Sequence, residues 1–102
     1  MLEIIAAKEM VCMKPSGEKF LVTIRVGKPY RLSDMEWACP VEAEGLCGKL
    51  VDIHGVDSFQ SLILAIRLLY QLLKSFTENG GRVFWANGKD ELILEELFTQ
   101  VI

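Results

Sequence analysis

The sequence predicts an α+β domain: a four- or five-stranded, mainly antiparallel sheet, one long helix packed across a face, and a short C-terminal helix. Two observations predict it. The first half of the chain carries apolar residues with a period of two, and turn residues break it into short runs. The longest apolar segment then follows a helix-capping sequence, Gly55-Val56-Asp57-Ser58-Phe59-Gln60. Strands that precede helices, without alternating with them, point to α+β architecture.

The elements follow in order. Leu2 to Met13 reads as a first strand, with Glu3, Lys8 and Glu9 as its only charges. Lys14-Pro15-Ser16-Gly17-Glu18 reads as a turn, because proline presets φ and glycine permits positive φ. Phe20, Val22, Ile24 and Val26 alternate with Leu21, Thr23 and Arg25 to give the second strand of a hairpin. Gly27-Lys28-Pro29 ends it. Glu36 to Glu44 reads as one strand with an apolar face (Trp37, Cys39, Val41, Ala43) and a face with Glu36, Glu42 and Glu44. Pro40 has no N–H to give a ladder, so this strand lies at an edge or bulges there. Gly45-Leu46-Cys47-Gly48 reads as a turn, and Lys49 to His54 as a fourth strand.

Asp57 is the expected N-cap, answered by Gln60 as in a capping box. The helix is expected from Ser58 to about Thr77, stopped by Asn79-Gly80-Gly81. At about 100° per residue, Phe59, Leu62, Ile63, Ile66, Leu69, Tyr70, Leu73 and Phe76 form its core stripe. Arg82 to Ala86 reads as a short strand, Asn87-Gly88 as a turn. Lys89 or Asp90 opens the last helix, through Leu92, Ile93, Leu97 and Phe98.

A chain of 102 residues reads as one domain, residues 1–102, able to bury a modest core. Its hydrophobic fraction of 51% and charged fraction of 25% are those of a globular protein. The net charge is −3 and the eleven Lys and Arg residues are scattered, which argues against nucleic-acid binding. The run from Leu62 to Leu73, interrupted by Arg67 and Gln71, is too short and polar to span a bilayer. The N-terminus lacks the basic region of a signal peptide. Three cysteines, an odd number with no Cys-x-x-Cys, suit reduced thiols in a cytoplasm.

No catalytic motif is present, and the expectation is a non-enzymatic interaction module without cofactor or metal. Its partner is expected to be another protein or a second copy. On the helix arc away from the core stripe, Leu64 and Leu68 sit beside Arg67 and Gln71. Those four residues are the expected partner-binding surface, through which a homodimer could form. The alternative is a small ligand-binding or enzymatic domain that uses Cys39, Cys47, His54 and Asp52. Activation of a cysteine there needs His54, the sole imidazole, within hydrogen-bond reach. Cys12, Cys39, Cys47 and His54 have a zinc site's ligand count without its paired spacing.

Trp37-x-Cys39, Gly48 and the run Gly55-x-Asp57-Ser58-x-Gln60 resemble a family of small bacterial proteins classed as a domain of unknown function. In that family a tryptophan-bearing strand is followed by a helix opening of the same form, with alanine where this chain has Ser61. The likeness covers Trp37 to Leu73. It implies a bacterial cytoplasmic protein and carries over no catalytic residue. By analogy with some such small proteins, a role as an immunity or accessory component of a bacterial toxin system is a further alternative.

Overall fold

The computed structural model describes residues 3–98. Its architecture is α+β, with two antiparallel sheets against one long helix. The chain runs β1 (Ile4–Met13), β2 (Lys19–Gly27), β3 (Tyr30–Ser33), β4 (Glu36–Cys39), β5 (Val41–Glu44), β6 (Gly48–Lys49), β7 (Ile53–Gly55), α1 (Ser58–Glu78), β8 (Arg82–Phe84) and α2 (Leu94–Leu97). Leu2, expected in the first strand, lies outside the described residues. The larger sheet has the order β6-β5-β2-β1-β8 and the smaller β3-β4-β7.

The expected hairpin is β1–β2, joined by a turn in which Gly17 donates to the Lys14 carbonyl at 2.8 Å. The expected single strand from Glu36 to Glu44 is two strands in different sheets. Pro40 is the reason: with no N–H of its own it interrupts the ladder, and its carbonyl accepts from the Gly27 amide at 2.8 Å. The chain thereby passes from the small sheet (β4) to the large one (β5). The fourth strand also divides. Gly48–Lys49 pairs with β5, and Ile53–Gly55 pairs with β4. Tyr30–Ser33, read as part of no element, pairs with β4 as β3.

Helix α1 is capped as expected. The Asp57 Oδ1 accepts from the Gln60 amide at 2.7 Å, and the Gln60 Oε1 accepts from the Val56 amide at 2.8 Å. Its C-terminus ends with Gly80 at φ +96° and the Gly81 amide donating to the Phe76 carbonyl at 3.0 Å. The buried line is Ser61, Ala65, Leu69 and Leu73, flanked by partly buried Leu62, Ile66, Leu68, Tyr70 and Phe76. Phe59, expected in the core stripe, is 70% exposed.

The reason is the close approach of α1 to β7. A Cβ on Gly55 would lie 2.6 Å from the Ser61 amide nitrogen, so the small residues Ser61 and Ala65 face the sheets here. The helix packs on β4 and β7 of the small sheet and on β2, β5 and β8 of the large one. Met10, Cys12, Val22, Ile24, Val41 and Ala43 complete the core beneath it.

The final helix begins at Leu94, later than expected. Residues 90–92 are extended instead: Trp85 donates to the Asp90 carbonyl at 2.8 Å, and Leu92 to the Val83 carbonyl at 2.9 Å. This outer hairpin arm continues into the single turn of α2.

Candidate functional site

The reactive side chains do not form one constellation: Cys39 and His54 lie on the small sheet with Asp52 just before β7, whereas Cys12 lies on β1 and Cys47 in the turn between β5 and β6 of the large sheet. Cys39 is buried, and its Sγ donates to the Gly27 carbonyl at 3.4 Å. Burial, aided by the nearby Asp52 carboxylate, pushes this thiol up to about 11. Burial alone does the same to Cys12. Both thiols are therefore protonated at neutral pH and lack thiolate character. Cys47 is exposed.

Cys39 stands opposite Ile53, and His54 opposite Ala38. Adjacent residues of a strand point to opposite faces, so Cys39 and His54 face away from each other. His54 Nδ1 lies 2.9 Å from Glu36 Oε2 at the surface. Asp52 accepts from the Tyr30 hydroxyl at 2.5 Å, and this bond is the main cause of the raised Tyr30 pKa. No group of three His, Cys, Asp or Glu side chains suited to a metal occurs among the described residues.

On α1, Arg67 and Gln71 are exposed, whereas Leu64 and Leu68 are each partly buried and Leu68 packs against the core. Neither leucine belongs to the large apolar side chains that α1 exposes, of which Phe59 is one.

The most distinctive surface lies along β1. This strand pairs with β2 from Ile4 to Met13, but with β8 only from Val11 to Met13. Its other side is open from Ile4 to Met10 among the described residues. The register shifts between Ile4 and Ala6, so the regular open edge is Ala6–Met10. Ile4 and Ile5 are about half exposed, at 50% and 47%.

Beside this edge lies an apolar cleft of about 300 Å³. Ala6 and Ala7 of β1, Ile24 and Val26 of β2, Ile66 and Leu69 of α1, and Leu97 and Phe98 at the chain's end line it. Lys8 stands at the rim, with its Nζ 3.9 Å from the centroid of the Trp85 ring. Among the described residues no carboxylate lies within 4.0 Å of this ammonium, although six Lys or Arg ion pairs form elsewhere. Lys8 carries no sequence signal of this role; Trp85, like Trp37 and Tyr30, is an amphipathic aromatic of the kind that anchors partners when exposed, and it is 45% exposed. The meeting of Lys8 and Trp85 depends on β8 stopping at Phe84, which follows from the topology.

The architecture is thus that of a small α+β domain with an open strand edge above an apolar cleft. The chain belongs to the family described as a domain of unknown function, DUF6968, whose model matches residues 7–94. That span includes the tryptophan strand and the capped helix opening noted in the sequence. No curated protein and no solved structure matches the chain.

Proposed function

We propose that the protein is a non-enzymatic interaction module whose partner docks on the open edge of β1 and the cleft beside it. The observation that carries this reading is the half-paired strand. Among the described residues, β1 is paired with β2 on one side and left unpaired over Ile4–Met10 on the other. Such an edge offers free backbone donors and acceptors to another chain. The adjacent cleft supplies apolar surface for alternate side chains of that chain. The cytoplasm is the compartment that suits three free cysteines, two of them buried. No helix among the described residues is long and apolar enough to cross a membrane.

Site-specific photocrosslinking in extracts of the source cells tests this. A photoreactive residue replacing Ala7 should give a discrete covalent adduct, and one replacing Asn87 in the exposed turn should not. An adduct formed only from Gln71 would move the interface to the outer face of α1, where Leu64, Arg67 and Leu68 also lie. No adduct from either β1 or α1 would refute the interaction reading.

A further inference from the structure

We propose that the occupant of the β1 edge is an extended peptide segment of the pattern acidic–x–apolar, which adds antiparallel to Ala6–Glu9. This inference rests on the reading of that edge as an interaction surface.

Three features of the edge select the partner's chemistry. The first is direction: every pairing in both sheets is antiparallel, and the unpaired side of Ala6–Met10 continues the lane that β8 occupies against Val11–Met13. Trp85, which follows Phe84 in the chain, bounds that lane beside Met10, so an added segment runs along Ala6–Glu9.

The second is side-chain alternation. Met10 and Cys12 point into the core beneath α1, so Ala6 and Lys8 share that face. In an added strand, the residues opposite Ala6 and Lys8 face the cleft side, and those opposite Ala7 and Glu9 face solvent. The residue opposite Ala6 then meets the apolar cleft formed with Ile66, Leu97 and Phe98.

The third is charge. Lys8 stands at the middle of the edge and has no carboxylate partner within 4.0 Å among the described residues. Its ammonium is held on the Trp85 ring, 3.9 Å from the centroid, at the cleft's rim. Opposite charges directly across two strands stabilise their pairing, and like charges oppose it. An Asp or Glu side chain opposite Lys8 is therefore favoured. The net charge of −3 does not reverse this, because carboxylates farther off than about 8 Å are largely screened at physiological salt.

The same charge argues against a second copy. Antiparallel self-pairing centred on Lys8 sets the two lysines face to face. Centring it on Ala7 instead leaves them diagonal neighbours on one face.

The test uses the full chain and the synthetic peptide acetyl-Thr-Glu-Thr-Leu-amide, with binding followed by amide chemical shifts in NMR titration. Expected are shifts concentrated on Ala6–Glu9 and on Trp85. Affinity should fall about fivefold for Lys8→Met. The Lys8→Glu protein should prefer the peptide carrying Lys in place of its Glu, a reversal that no general loss of fold produces. Backbone N-methylation of the peptide at alternate amides, tried in both registers, should abolish binding in at least one. Equal binding of both methylated peptides, or no reversal with Lys8→Glu, overturns the inference. So does a dimer in sedimentation whose contacts map to Ala6–Glu9. A persistent photocrosslink from Ala7 with no binding of the peptide overturns the peptide chemistry alone. Absence of the Ala7 crosslink overturns the assignment of this edge as the docking surface, on which the inference rests.

Discussion

Replacement of Gly55 by alanine tests the reason that α1 lies where it does. The added Cβ would meet the Ser61 nitrogen at 2.6 Å, the Ser61 Cα at 2.9 Å and the Gln60 carbonyl carbon at 3.0 Å. All three are backbone atoms, so no side-chain rotation relieves the contact. Ordinary Cβ contacts begin near 3.4 Å, which leaves the first turn of α1 about 0.8 Å too close. Overpacking on this scale costs about 1–3 kcal/mol, and the rigidity of the partner atoms places it toward the upper end. Alanine also restricts the unfolded chain, which offsets about 0.4–1 kcal/mol. The clash prevails, with a net loss of about 1–2 kcal/mol. Each kcal/mol moves the midpoint of a chain this size by about 4–8 °C, so thermal denaturation should show a Tm lower by about 5–15 °C. Urea denaturation should give a lower midpoint at unchanged slope. A double variant with Ser61→Gly should not recover the loss, because the Ser61 side chain is not the obstacle. A Gly55→Ala protein as stable as the parent, or one rescued by Ser61→Gly, would refute the argument that helix and strand are in backbone contact.

Asp57→Ala removes the acceptor of the Gln60 amide and should cost about 1 kcal/mol in urea denaturation. Leu68→Ala should destabilise clearly, since Leu68 packs on the core, whereas Arg67→Ala and Gln71→Ala should stay within about 0.5 kcal/mol. A thiol reagent at neutral pH should modify Cys47 alone in the folded protein; mass spectrometry after brief labelling reads this, and Cys12 and Cys39 should react only on unfolding. Those two thiols also set a pH dependence. Their ordinary value of 9.0 is raised to about 11 by burial, so the unfolded chain releases the protons first. Stability should be full below pH 9 and decline between about 9 and 11, with a shallower decline in a Cys12→Val, Cys39→Ala variant, as followed by urea midpoints across that range.

Local rules account for what the sequence predicted well, and long-range placement accounts for the rest. The cap at Asp57, the stop at Asn79-Gly80-Gly81 and the β1–β2 hairpin each depend on residues within a few positions of one another, and each forms as expected. Pro40 was legible as an interruption. Its consequence, a transfer of the chain between two sheets, depends on β2 and on β7, far away in sequence. Phe59 departs from the expected core stripe of α1 for a related reason. Periodicity gives the direction of greatest hydrophobicity, but Gly55 admits the helix so closely that Ser61 and Ala65 must face inward. The same logic governs the candidate surface. Nothing in Ile4 to Met10 signals an open edge, because openness there means only that β8 is short and joins β1 at its far end. The sequence shows Lys8 only as one of three charges in the first strand, and its role appears only when topology sets Trp85 beneath it and Ile66, Leu97 and Phe98 beside it. A lysine in mid-strand is ordinarily a guard against strand addition. Held on Trp85 at the rim of a cleft, without a carboxylate partner among the described residues, it becomes instead a selector of which strand is added.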